Sequence, residues 1–301
     1  MARTGATTKT YATIAAIVAV IAIAAVSLSE NKPSKRNAGV AYHYSQWNEY
    51  AENVETAIRD QSKASAEAKL QLSHVYGGVV SHHIPTTIPR LVEFYSKLKD
   101  AGRVKNFIII GPDHTDAGNT PATVSAIGFA TKFGSLEPIP AFAHSLEKLS
   151  FVSIDEKPFD PEHAIGSQTL LISKFFPEAR VTPLILRSDI TLAQAEALGE
   201  AIAPYLSDET VLIASVDFSH YLPTSQALVQ DELSGQIIKN LDERSVRTIG
   251  ADSDRSISVF VRAMKLKNAR DTEDFEVLNT NDFMQNDDYT TGYVFGYWGI
   301  R

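Results

Sequence analysis

The sequence predicts an α/β fold: a single, mostly parallel sheet flanked by helices on both faces, preceded by an N-terminal hydrophobic helix. Three observations carry this. Short apolar runs with no polar face, such as Phe107, Ile108, Ile109 and Ile110, suit strands buried on both sides. Segments with apolar residues at helical spacing separate those runs, and strand–helix alternation implies a parallel sheet with helices outside it. Ahead of both stands an uncharged stretch, 12–28, that is apolar on every face.

That stretch, ATIAAIVAVIAIAAVSL, is close to the lower limit of roughly 17–25 residues for crossing a bilayer. Residues 1–30 are therefore expected to be a signal anchor. A cleaved secretory signal is the rival, with the small residues Ala25 and Ser27 at the −3 and −1 positions. Arg3 and Lys9 before the run are nearly balanced by Lys32, Lys35 and Arg36 after it, so flanking charge decides little about orientation. The very short N-terminal tail favours a membrane-anchored chain with its large domain outside the cytoplasm. Residues 31–72 read as linker and helical stalk: polar around Pro33, then rich in Ala, Glu, Lys and Gln. The α/β domain is expected over 73–301.

Within it, 75–80 and 106–110 are strand-like, and between them Ile88, Leu91, Val92, Tyr95 and Leu98 recur at helical spacing. A helix-like stretch covers 168–176. The apolar runs 181–186 and 211–214 repeat the strand pattern around a helical segment, 192–206. Residues 290–298, rich in aromatic and β-branched side chains, are expected to return as a late strand.

Composition removes several classes of function. Of 301 residues, 44% are hydrophobic and 21% charged, which excludes wholesale disorder. With no cysteine, thiolate nucleophiles, cysteine-ligated zinc, iron–sulfur clusters and disulfides all drop out. A net charge of −8 does not attract phosphate backbones, so no nucleic-acid partner is expected.

The residues just past the buried strands are more informative. Ser81, His82 and His83 come after the first; Gly111, Pro112, Asp113 and His114 come after the second. Beyond 211–214 stand Ser215, Val216, Asp217, Phe218, Ser219 and His220. Loops at the carboxyl ends of strands line the ligand crevice of open α/β sheets. Four of the chain's eight histidines would thus converge on one sheet edge. A single histidine after a strand is ordinarily a solvated loop residue; three coincidences argue for a polar site. His43, His74 and His144 come after no buried strand and are set aside.

These segments, from about Gly77 to Trp298, resemble the Memo-like family, also called AmmeMemoRadiSam system protein B, which is similar in fold to class III extradiol dioxygenases. The family's first metal-ligand histidine falls on His82. Its Gly-Pro-Ser/Asn-His motif falls on Gly111, Pro112, Asp113 and His114, making His114 the second ligand. Its Ser-Ser-Asp-x-x-His segment falls on 215–220, and its Glu-His-Ser segment on Glu162, His163 and Ala164. Family members commonly carry a cysteine before a helix whose counterpart here is 257–264. Counting back from Ile257 puts Asp252 at the cysteine position, where the dioxygenase relatives use a carboxylate. The family's glycine and proline around that ligand are replaced by Ser253 and Ser256. Asp254 competes for the role, and Asp252 could equally be a residue that opens a helix.

The resemblance implies one divalent metal ion on His82, His114 and Asp252, with iron(II) first; zinc, manganese or copper could use the same ligands. Loss of the thiolate hardens the site and disfavours copper(I). His220 would act as acid or base beside the metal with Asp217 fixing its tautomer, while His83, Asp113, Glu162 and His163 would stand close around. Two readings of function stay open: a metal-dependent oxidoreductase of dioxygenase type, or a non-catalytic protein binding metal and a small-molecule or peptide ligand. A metal-dependent hydrolase fits the same ligands but lacks a second-metal set.

Overall fold

The protein is described by a computed structural model over residues 41–63, 69–284 and 289–301. In chain order, β1 (Tyr42–Tyr44) leads into α1 (Ala51–Gln61), β2 (His74–Val80), α2 (Ile88–Asp100) and β3 (Asn106–Pro112). Four short strands and a helix come next: β4 (Ala122–Val124), β5 (Gly128–Thr131), β6 (Gly134–Pro138), α3 (Pro140–Leu146) and β7 (Val152–Ile154). Then come α4 (His163–Phe175), β8 (Arg180–Leu186), α5 (Leu192–Ile202), β9 (Thr210–Ser215) and α6 (Thr224–Lys239). The chain ends with α7 (Asp254–Leu266), β10 (Asp271–Asn279) and β11 (Gly292–Ile300).

The strands form one sheet in the order β1-β5-β6-β8-β3-β9-β2-β11-β10, with β4 lying on β8 and β7 on β4. Its apolar runs alternate between two cores, as the pleat requires. Phe107, Ile109, Val211 and Ile213 face a core completed by α1, α2 and α4. Ile108, Ile110, Leu212 and Ala214 face a core completed by α3, α5 and α7. Helices press close on β2 at Gly77 and Gly78. A Cβ on Gly77 would lie 2.7 Å from the Phe260 ring of α7, and one on Gly78 would lie 2.5 Å from the Phe94 ring of α2. Only glycine admits an aromatic ring that close to a strand.

The sheet is mixed, which corrects the expectation of a mostly parallel one. The centre, β6-β8-β3-β9-β2, is parallel throughout. β11 and β10 add antiparallel to the β2 edge, and β4 adds antiparallel to β8. β5 and β6 are joined by only two residues, Lys132 and Phe133, and so must pair antiparallel. The short strands β4 to β7 and the edge strand β10 carry no uniform apolar run, so the sequence announced β2, β3, β8, β9 and the late strand β11 but not these.

Residues 42–61, expected within a stalk, form strand and helix packed on the domain. β1 pairs with β5, and Ala51 and Val54 of α1 are buried in the core of α2 and α4. The expectation of a membrane-anchored chain with an extracytoplasmic domain is also corrected. Among the described residues no helix is long and apolar enough to cross a membrane. The segment on which it rested, 12–28, lies outside the described residues.

Candidate metal centre

β3, β9 and β2 are neighbours in the sheet, run parallel, and end level: Ile110 sits opposite Ala214, and Val80 opposite Ser215. The chain positions two residues past each strand end therefore meet over the sheet's carboxyl edge, which brings His114, Asp217 and His82 together. His82 is 2% exposed. Its Nε2 lies 3.1 Å from Oδ2 of Asp252 and 3.5 Å from Oδ2 of Asp217. His114 Nε2 lies 3.8 Å from that same Asp252 oxygen.

Asp252 comes from the loop before α7. Its backbone N–H donates to the Asp217 carbonyl at 3.0 Å, and its carboxylate accepts the Asp217 N–H at 3.3 Å. This pins the α7 approach to the end of β9. Ser253 caps α7, accepting the Ser256 N–H at 3.2 Å. The two serines that replace the family's glycine and proline thus build the helix start. Asp254 lies in the first turn and pairs with Arg255 at 2.6 Å, in neither ligand group.

Each histidine is oriented from behind. His114 Nδ1 is 2.7 Å from Oε1 of Glu162, whose other oxygen accepts the His114 backbone N–H at 3.0 Å. A carboxylate only accepts, so Nδ1 carries the proton and Nε2 faces the centre. Ser215 Oγ donates to the Ala164 carbonyl at 2.7 Å and stands 3.4 Å from His82 Nδ1, turning Nε2 of that ring inward too. Asp217 Oδ1 accepts the Ser81 hydroxyl at 2.6 Å and the His82 N–H at 3.2 Å. That oxygen is committed to these, while Oδ2 faces His82 Nε2.

Opposed charges set the protonation. Burial alone would lower the pKa of His82, but the carboxylates of Asp217 and Asp252 outweigh it and hold it up to about 9. Burial also opposes charge on His114, yet the carboxylates of Asp252 and Glu162 raise it to about 9. For Asp252, burial would raise the pKa, and the two imidazoles reverse this, holding it well below the usual carboxylate range. His163, by contrast, is pushed down to about 4 by burial and by its cationic neighbours His82 and His114.

His163 opens α4. Its ring stacks on His114 at 3.8 Å and meets His82 edge-on at 4.9 Å, with Trp47 against its outer side at 5.8 Å. Two overlapping groups have ligand atoms within 4.8 Å of one another: His82, His114 and His163; and His82, Asp217 and Asp252. His82 belongs to both.

The other expected residues serve at a distance. His83 Nδ1 bonds the Tyr293 hydroxyl at 2.6 Å, and burial lowers its pKa. Asp113 accepts the Ala117 and Gly118 N–H groups at 3.1 and 2.8 Å, so it shapes its own loop. His220 is exposed, its ring beside Tyr221, and stands in neither ligand group. Gln168 of α4 was missed in the sequence. Fully buried, it donates to the Ser81 carbonyl at 2.9 Å and to Ser215 Oγ at 3.1 Å, tying together the ends of β2 and β9.

His82, His114 and Asp252, drawn from both groups, have a spacing that fits a metal ion. Nitrogen and oxygen ligands about 2.1 Å from an ion, at right angles to each other, lie about 3 Å apart. The 3.1 and 3.8 Å separations around Asp252 Oδ2 are of that order. The second oxygen of Asp252, Oδ1, is buried without a hydrogen-bond partner among the described residues. A buried carboxylate oxygen left unpaired by the protein suits a cation.

Comparison with known proteins shows the family. The family model for Memo-like protein matches residues 34–279. A MEMO1 family protein of Caldivirga maquilingensis is 28% identical over 191 residues, covering 62% of this chain and 64% of that one. One from Pyrobaculum aerophilum is 28% identical over 215 residues, covering 69% and 76%. One from Methanopyrus kandleri is 33% identical over 173 residues, covering 55% and 61%. The chain thus spans less than two thirds of the length of the first and third of these relatives. With most of its length matched by one family model, this chain belongs to the Memo-like protein family.

Proposed function

We propose that this protein holds one divalent metal ion, iron(II) first, on His82, His114 and Asp252, and that the loaded centre is an oxidoreductase of dioxygenase type acting on a small chelating molecule. The observation that carries the proposal is the placement of Asp252 Oδ2, within 3.1 Å of one imidazole nitrogen and 3.8 Å of the other, beside an unpaired Oδ1. Two imidazoles and a carboxylate on one face leave positions open for oxygen and a chelating substrate on iron(II). The chain's own residues prepare the face. Glu162 and Ser215 turn the two Nε2 atoms inward, Asp217 holds the backbone of His82, and Trp47 and His163 wall one side.

A second reading, non-catalytic binding of metal with a small-molecule or peptide ligand, is favoured by one observation. His220, the expected acid or base, is exposed and outside both ligand groups. The test is to purify the full chain without oxygen, measure bound metals by mass spectrometry, and follow oxygen uptake with catechol-type substrates. Iron with uptake that falls in His220→Ala supports the enzyme. Iron without uptake for any diphenol supports binding alone, and absence of metal under iron, zinc and manganese loading defeats both.

A further inference from the structure

Two further donors stand beside the His82, His114 and Asp252 centre, each in a different ligand group. One is His163, whose ligand nitrogen lies within 4.8 Å of those of His82 and His114. The other is Asp217, with an oxygen within the same distance of His82 and Asp252. His82 Nδ1 faces Ser215, so the ring offers only Nε2 to an ion. A single ion must then sit close to that nitrogen and lean toward the histidine side or the carboxylate side.

His163 is placed like a ligand in waiting. No protein partner among the described residues lies within hydrogen-bond range of either ring nitrogen. The closest is Oε1 of Glu162, 3.6 Å from Nδ1 and already bonded to His114 and the Ala164 N–H. The ring is 37% exposed yet held by its stack on His114 and by Trp47. Among the described residues no polar group bonds it, and its stack on His114 nevertheless fixes its orientation.

Ions differ in what they ask of such a pair. Copper(II) and zinc(II) favour imidazole nitrogen, whereas manganese(II) favours carboxylate oxygen. We propose that His163 is an ion-selective ligand: copper(II) or zinc(II) adds it to His82, His114 and Asp252, and manganese(II) leaves it free and adds Asp217 instead. This rests on the metal-centre reading above and assigns the residues that decide which ion the centre prefers.

The test uses the metal-free full chain titrated with copper(II) sulfate and with manganese(II) chloride, by calorimetry and electron paramagnetic resonance. In the unaltered protein, bound copper(II) should show nitrogen couplings from the three imidazoles of His82, His114 and His163. His163→Gln should lose one set and weaken copper(II) by about tenfold, the scale of loss when residues supporting a metal site are changed. Manganese(II) should weaken less than about twofold in that variant. Asp217→Asn, which keeps an acceptor for Ser81 and the His82 N–H, should reverse the order. The unaltered protein's spectrum reads the ligand set without any variant. Copper(II) couplings from two imidazoles alone, or equal weakening of both ions by His163→Gln, would overturn the assignment of His163 while the centre stands. If His114→Ala and Asp252→Ala leave both ions bound as before, the centre itself is misplaced and the inference goes with it.

Discussion

At the scale of single residues, the centre is a competition between a proton and a cation for the same nitrogen atoms. His82→Ala, His114→Ala and Asp252→Ala should each lower metal affinity by at least about tenfold. Asp254→Ala, which removes only a pair with Arg255, should change it less than about twofold. Plasma emission analysis of dialysed protein reads both. The pH dependence has a definite sign. Without metal, His82 and His114 stay protonated to about 9, well above the 6.5 of a free imidazole. A group with a raised folded pKa stabilises the fold fully below the unfolded value and loses that contribution as pH rises through the folded one. Stability of the metal-free protein should therefore fall between about pH 6.5 and 9, read by urea unfolding. Metal displaces those protons, so affinity should rise over the same window.

At the scale of elements, two buried polar clusters hold the site's supports in place. Gln168 on α4 accepts the Tyr95 hydroxyl on α2 at 2.9 Å and donates to the ends of β2 and β9. Gln168→Ala should cost about 1–3 kcal/mol by urea unfolding, because it leaves buried groups without partners. The other cluster fastens β1 at the far edge of the sheet. His43 is buried between Glu156 at 2.9 Å and Asp160 at 2.7 Å. Burial opposes its charge, but the two carboxylates raise its pKa above the ordinary 6.5. Its contribution is complete below that value and fades as pH rises through the raised one. His43→Gln should therefore speed amide exchange of Tyr42–Tyr44 at pH 6, with less effect in alkaline buffer. Failure to change exchange at either pH would remove His43 from this role.

At the scale of the whole molecule, the metal and the fold are expected to support each other. The donors come from the ends of β2 and β3, the turn after β9, and the loop before α7, and a cation on them bridges separate parts of the chain. A ligand bound only by the folded state adds about 2.7 kcal/mol at a free concentration of 100 times its Kd. The urea midpoint should accordingly rise on loading and fall again with chelator, and the shift should vanish in His82→Ala. The helices do not need the ion. Both cores are closed by apolar side chains, among them Trp298 between Phe260 and Phe275, so the metal-free chain should remain folded.

The sequence by itself determined the parallel centre of the sheet, since runs such as Phe107 to Ile110 have no polar face and can only be buried on both sides. It also determined that histidines come after three of those strands, while Asp252 was reached only through the resemblance to the Memo-like family, by counting back from Ile257, with Asp254 left open. The strands β4 to β7 and β10 were hidden because the first four are short and the last is half exposed, which blurs any period of two. Only the tertiary structure decided which polar residues meet. Adjacency of β3, β9 and β2 is a long-range pairing that leaves no local trace. The bond between the Asp252 N–H and the Asp217 carbonyl holds Asp252, and not Asp254, 3.1 Å from His82 Nε2 and 3.8 Å from His114 Nε2. The same packing left His220 at the surface and brought His163 in.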